Sequence, residues 1–344
     1  MKRFWKWSLF TILIAVVGYG AYLAYSVYDF TQDIQGDKSP TVDKGGKVSN
    51  IAVEEPPKWE GKDRVNILLL GGDSRDVAKN VTPRSDSILV ASLDPKTKKA
   101  QLFSILRDTY VDIPGHGKDR INAAYVYGGA NLAMKTVSDL LGIPIQYYVY
   151  TDFKGFVKLV DALGGIDIDV EKDMYYKSKA DGPYFDIDLK KGLQHLDGRS
   201  ALGYVRFRHD AMSDFTRTER QRKFMTAVAD ELKSSTTLLK LPRILKSMAP
   251  YIETNIAFGD MWKLGSLGYD MNGTSSHQLP PQELLQGINV GGASMLGADE
   301  ELLKQYVQEQ FEKDSVPATD PGQIPTTTND GSTDAASESA AAAD

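Results

Sequence analysis

The chain concentrates its arginines in one stretch. YVRFRHDAMSDFTRTERQRKF, from Tyr204 to Phe224, carries Arg206, Arg208, Arg217, Arg220, Arg222 and Lys223, although the 344-residue protein has a formal net charge of −6. Guanidinium forks bind phosphate oxygens bidentately. A helix N-terminus adds free N–H groups and partial positive charge. Burying that much cation unpaired is costly, so an anion is expected to complete the site. Salt bridges to Asp210, Asp214 and Glu219 would account for any one arginine as part of a solvated face. They are a weak account of four aimed from a strand end and a helix start. The chemistry implied is the holding of a pyrophosphate-sized group.

Two more stretches suit the same anion. In GGDSRDVAKNVTPRSDSILV, Asp73 and Arg75 lie just past one strand end, while Arg84 and Asp86 enter the next strand. SILRDTYVDIPG puts Arg107 and Asp108 at the end of a third. Polar groups on several strand ends at one edge of an open sheet mark where α/β proteins bind ligands. Spacing leaves two readings of Asp73 and Asp86. They would suit a hard cation such as Mg²⁺, which takes one or two carboxylates plus substrate phosphates and water, or each would pair with Arg75 or Arg84. The absence of cysteine removes thiolate catalysis, disulfides and Cys-based metal sites, and the four histidines show no zinc spacing. The acidic net charge argues against nucleic acid as a partner.

Positioning these groups needs particular elements. GYVRFRHD reads as a strand, with Tyr204, Arg206 and Arg208 on one face. Thr216-Arg217-Thr218-Glu219 matches a capping box, which predicts a helix starting there. Its spacing puts Arg217, Arg220 and Gln221 on the side of Phe224, Val228 and Leu232, with Arg222 and Lys223 pointing elsewhere. VNILLLGG, SILVASLD, AQLFSIL, YYVYTD and IDIDV read as further strands. GANLAMKTVSDLLGI reads as a helix, as does DFKGFVKLVDALGGI with an Asp N-cap and a glycine pair at its end. More helices follow at 237–249 and 299–313, and residues 250–315 read only as helical packing. Strands alternating with helices predict an α/β protein, an α-β-α sandwich around one mixed central β-sheet.

The N-terminus addresses the compartment. Lys2, Arg3 and Lys6 precede an uncharged run from Trp7 to Tyr28, which as a helix covers roughly 33 Å, enough for a bilayer core. Basic residues before it and Asp29, Asp33 and Asp37 after it predict a cytoplasmic N-terminus and an exported remainder. The run is longer than a usual signal-peptide core and lacks a small-x-small exit, which favours an uncleaved anchor. The expected organisation is a cytoplasmic 1–6, a single transmembrane anchor at 7–28, an extracellular stalk at 29–62, a catalytic domain at 63–315 and a low-complexity tail at 316–344.

With these motifs in order, the chain resembles the LytR-CpsA-Psr family, membrane-anchored proteins that attach glycopolymers to Gram-positive cell walls. The resemblance rests on NILLLGGDSR, RSDSILVASLD, SILRDTYVDIPG, KDRINAAYVYGGA, GGIDIDV, GLQHLDGRSALGYVRFRHD and DFTRTERQRKF. One departure is Leu106, where the family often has proline. The resemblance implies a phosphotransferase of the cell membrane, with its catalytic domain outside. It would move a teichoic-acid or capsular-polysaccharide type polymer from a polyprenyl-pyrophosphate carrier to a peptidoglycan sugar hydroxyl. Asp73 and Asp86 would hold Mg²⁺ or Mn²⁺. Arg84, Arg107, Arg206, Arg208, Arg217 and Gln221 would hold the pyrophosphate, with Arg75, Arg220 and Arg120 beside them. Asp73, Asp86 and Arg107 are the catalytic candidates, and an apolar pocket for the polyprenyl tail is implied. Two other readings are a polyprenyl-pyrophosphate hydrolase and a non-catalytic regulator that only binds the lipid carrier.

Overall fold

Apolar alternation in the first strands decides which side of the sheet is packed solid and which is left open. The computed structural model describes residues 2–35, 56–72, 85–177, 182–208 and 213–315. In chain order, a first helix α1 (Lys2–Gln35) is followed by β1 (Val65–Gly72), β2 (Ser85–Asp94) and β3 (Lys99–Ile105). A hairpin of β4 (Tyr110–Ile113) and β5 (Gly117–Arg120) leads to α2 (Ala123–Leu141), β6 (Tyr147–Asp152) and α3 (Phe153–Leu163). Then come β7 (Ile166–Val170), β8 (Met174–Tyr176), β9 (Ile187–Leu189), β10 (Gly192–Leu196) and α4 (Gly198–Arg206). The last part holds α5 (Ser213–Leu232), α6 (Ser235–Met248), β11 (Ile252–Thr254) and α7 (Phe258–Tyr269). It ends with β12 (Thr274–Leu279), the hairpin β13 (Gln286–Val290) and β14 (Ala293–Gly297), and α8 (Glu300–Ser315).

Six strands form one mixed sheet in the order β11-β6-β1-β2-β3-β12. β1 runs parallel to β6 and antiparallel to β2, and β12 is parallel to β3. Leu68, Leu70, Ile88 and Val90 project to one face, where α2 and α8 close a continuous core. Each such buried side chain contributes about 2 kcal/mol. On the other face a second core is built from α3, α4, α5 and the β7–β10 hairpin. The expected α-β-α sandwich around a mixed sheet is what the chain adopts.

Local signals explain most elements. Asp152 caps α3, its carboxylate accepting from Gly155 N at 2.8 Å, and Gly164 ends the helix in the left-handed conformation. α2 begins earlier than its periodicity suggests and kinks at Gly128 and Gly129. GYVRFRHD is a correction. Its described part, residues 203–208, is the last turn of α4 and the two residues after it, because Asp197 caps a helix at Ser200 N, 2.8 Å away, and Ala201, Leu202 and Val205 bury one helical face; His209 and Asp210 lie outside the described residues. The capping-box expectation shifts too, since α5 starts at Ser213, a turn ahead of Thr216. Residues 250–315 contain three strands of their own beyond β11, in addition to helices. Leu106 is buried and donates its N–H to Leu279 O at 2.9 Å, extending the β3–β12 pairing. A proline there would lack that donor.

The end of α1 belongs to the folded body. Phe30 and Ile34 sit in the core with Met248 and Ala249, and Tyr28 meets Phe258 edge-on with ring centroids 5.8 Å apart. Trp59, expected in the stalk, is buried with Val65 and Tyr147. Among the described residues no helix is long and apolar enough to cross a membrane. The anchor at 7–28 stays an expectation of the sequence.

Candidate active site

A cavity of about 560 Å³ opens between the sheet and the helices on the second face. Period-two alternation supplies its floor: Leu69, Gly71, Ser87 and Leu89 face it, opposite to the side chains that fill the first core. Phe156 and Leu159 of α3, Leu202 and Val205 of α4, and Phe224 and Met225 of α5 form apolar walls. Asp86, Arg107, Arg206, Arg208, Arg217 and Gln221 also line it. Interiors are ordinarily close-packed, so an apolar cavity of this size in a core is a place for a ligand. The cationic groups and the oily walls together call for an amphipathic one.

Asp86 reaches the cavity through a defect in the ladder. Gly71 pairs with Ser87 and Gly72 with Ser85, so Asp86 is skipped by a β-bulge. Strict alternation would send Asp86 to the side of Ile88 and Val90; the bulge re-aims it. Gly72 is needed at this point, since a Cβ there would lie 2.2 Å from the Tyr150 hydroxyl. Arg107, just past the end of β3, donates from Nη1 to Asp86 Oδ1 at 2.5 Å. Arg107 Nε also lies 3.6 Å from Asp108 Oδ2.

The arginines come from separate elements. Arg206, in the last turn of α4, stacks its guanidinium over Phe153 and Phe185 at 4.9 and 4.7 Å from the ring centroids. A guanidinium over aromatic rings gains cation–π attraction, and its fork has the shape that matches a phosphate. Arg208 follows on the loop after α4. Arg217 is only 2% exposed yet lines the cavity from α5. One turn on, Gln221 Oε1 accepts from the Ser87 hydroxyl at 3.1 Å, tying α5 to β2.

Two expected ligands of the anion are engaged elsewhere. Arg220 does not line the cavity: its Nε donates to Glu171 Oε1 at 2.5 Å and its Nη1 to Phe207 O at 2.8 Å. It braces the turn that carries Arg206 and Arg208. Arg120 is also absent from the lining; its Nε lies 3.4 Å from Asp108 Oδ1 and its Nη2 donates to Ser294 O at 3.1 Å. Arg120 and Arg107 thus share Asp108 between them. Asp73, Arg75 and Arg84 lie outside the described residues. Sequence reading missed Phe153, Phe185 and Ser87 as site residues. Phe153 had a signal in its position just after a helix cap, whereas Phe185 had none.

A divalent cation would find one described carboxylate here. Asp86 Oδ1 is taken by Arg107, and no hydrogen bond is made by its Oδ2 among the described residues. No group of three or more His, Asp or Glu gathers among the described residues. One free carboxylate oxygen suits Mg²⁺, which fills the rest of its shell with phosphate and water.

The match to known proteins agrees with this geometry. The model of the LytR_cpsA_psr family matches residues 25–312. The Regulatory protein MsrR of Staphylococcus aureus is 37% identical over 265 residues, 75% of this chain and 77% of that protein. The polyisoprenyl-teichoic acid–peptidoglycan teichoic acid transferase TagU of Enterococcus faecalis is 35% identical over 305 residues, 88% of this chain and 93% of that protein. A solved structure of Bacillus subtilis TagT with bound octaprenyl pyrophosphate superposes with a TM-score of 0.56 at 28% identity, over 76% of this chain and 95% of that one. With the family model covering most of its length, the chain belongs to the LytR-CpsA-Psr family.

Proposed function

We propose that this protein transfers an anionic glycopolymer from a polyprenyl-pyrophosphate carrier to a peptidoglycan sugar hydroxyl. The observation that carries the reading is the single cavity that joins apolar walls to Arg107, Arg206, Arg208 and Arg217. The isoprenoid tail would lie along Leu89, Leu159, Phe224 and Met248, and the pyrophosphate against the four guanidinium groups. The relatives' names support the same direction, as one transfers teichoic acid and another holds octaprenyl pyrophosphate.

Phosphoryl transfer asks for alignment and charge neutralisation more than covalent help. The acceptor hydroxyl oxygen would bond to the polymer-side phosphorus, the bond from that phosphorus to the bridging oxygen would break, and polyprenyl phosphate would leave. Arg206 and Arg217 would spread the charge building on the departing phosphate. The hydroxyl proton would pass to a carboxylate, for which Asp73 is the sequence's first candidate. Mg²⁺ or Mn²⁺, held by Asp86 together with Asp73, would neutralise phosphate oxygens. Arg107 would hold Asp86 turned toward them. The chain would act at the outer membrane face, anchored through residues 7–28 with its N-terminus in the cytoplasm.

The test is incubation of the protein with a polyprenyl-pyrophosphate-linked saccharide, with and without peptidoglycan. Polymer joined to glycan only when peptidoglycan is present supports the transferase. Phosphate release that ignores the acceptor would assign a hydrolase instead. The name of the staphylococcal relative favours a second, regulatory reading; lipid binding without turnover in either arm would support it.

A further inference from the structure

The opposite side of α5 borders a second cavity, of about 360 Å³, against the end of β12 and α8. Glu219 and Arg222 line it. At 100° per residue these two project away from Arg217 and Gln221, which face the first cavity. Of the cations in the arginine-rich stretch that do not line the first cavity, Arg220 is engaged by Glu171 and Lys223 by Asp169 O, whereas Arg222 faces this second cavity. Among the described residues its Nε and Nη1 are buried with no hydrogen-bond partner, and so is His277 Nε2 on the facing strand. His277 is held in place: its ring stacks on Phe103 at 5.5 Å, and its Nδ1 lies 3.4 Å from Tyr306 Oη. Burial first, and then the nearby Arg222 charge, lowers the His277 pKa below its ordinary value, so the imidazole is neutral at pH 7. Unsatisfied guanidinium N–H groups in a recess are costly and call for an anionic acceptor.

The rest of the lining narrows the ligand. Glu219 and Glu283 share the cavity with Arg222, so a uniformly polyanionic chain would meet repulsion beside its one attractive group. A ligand carrying a carboxylate close to amine or amide donors fits both signs. We propose that this cavity is an acceptor subsite, in which Arg222 takes a carboxylate of a peptidoglycan stem peptide while Glu219 and Glu283 accept from its N–H groups. The proposal rests on the transferase reading. It makes α5 the divider between donor and acceptor, with Arg217 and Gln221 on one face and Arg222 on the other.

The experiment titrates the full chain in detergent with three probes: a disaccharide-pentapeptide, the disaccharide without its peptide, and a glycerol-phosphate oligomer. Octaprenyl pyrophosphate is titrated in parallel. Expected is binding of the disaccharide-pentapeptide that weakens about tenfold in Arg222→Gln and on removal of the peptide. Arg222→Lys should recover part of it, and octaprenyl pyrophosphate should bind all variants alike. Equal affinity of the disaccharide-pentapeptide for wild type and Arg222→Gln overturns the proposal. So does a preference for the glycerol-phosphate oligomer that depends on Arg222, which would assign the cavity to the donor polymer. Failure of octaprenyl pyrophosphate to bind even the wild type would instead undermine the transferase reading itself.

Discussion

Asp86 meets Arg107 at 2.5 Å because the β1–β2 ladder skips Asp86 at a bulge. The pair sits at the cavity with side chains 32% and 24% exposed, so it contributes about 1 kcal/mol or less to stability. Its value is in placement. Asp86→Ala should therefore leave the melting temperature within a few degrees of wild type while lowering polymer transfer at least about a hundredfold. Thermal melts and product yield, measured on the same preparation, check both halves. Full turnover in a folded Asp86→Ala protein would remove the bulge from the mechanism.

Arg206 is expected to resist conservative exchange. Lysine keeps the charge but loses the delocalised guanidinium over Phe153 and Phe185 and the bidentate fork. Stacking of this kind supplies about 1–2 kcal/mol where water is excluded, so Arg206→Lys should weaken octaprenyl pyrophosphate binding roughly tenfold. Phe185→Leu should weaken it in the same direction. A direct lipid-binding titration distinguishes this from an effect on turnover alone.

Arg220 gives the contrasting case. Arg220→Ala removes the partner of Glu171 and the donor to Phe207 O, while Glu171, with its side chain 42% exposed, turns to water. A loss of about 1–2 kcal/mol in stability is expected, with lipid binding reduced only through the displaced Arg206 turn. For Glu171, burial alone would raise the carboxyl pKa, but hydrogen bonds from Arg220, its own backbone and Tyr204 bring it below the ordinary 4.5. A carboxylate lowered on folding stabilises above its unfolded pKa, and that stability is lost as pH falls through the folded value. Melting temperature between pH 3 and 6 should fall less steeply in Arg220→Ala than in wild type.

Filling the cavity tests the lipid itself. Leu89→Trp places a larger ring from β2 toward the open space of the cavity. The protein should melt no lower than wild type, yet retain no isoprenoid phosphate detectable by mass spectrometry. Retained lipid in this variant would move the tail elsewhere.

The mixed central sheet and most helices were legible because β1, β2 and β6 carry apolar runs and α3 carries its own cap and stop; the order of the strands was not. The misreading of α4 has a definite cause. Tyr204, Arg206 and Arg208 alternate with Val205 and Phe207, and over five residues that period of two outweighed a helix whose cap, Asp197, lies farther upstream. β11 and β12 were missed because one is three residues long and the other, TSSHQL, is a polar edge strand. The gathering of Arg107, Arg206, Arg208, Arg217 and Gln221 followed from residue type and segment order. The diversion of Arg220 did not, since its partner Glu171 comes from a segment 49 residues away.

The last turns of α1 have a practical consequence. Phe30 and Ile34 share a core with Met248, and Met248 also lines the first cavity. A fragment trimmed to begin after Ile34 would uncover the back wall of that chamber, and its loss of affinity would be mistaken for a defect in the head-group site. Preparations meant to measure the carrier should start ahead of Val27.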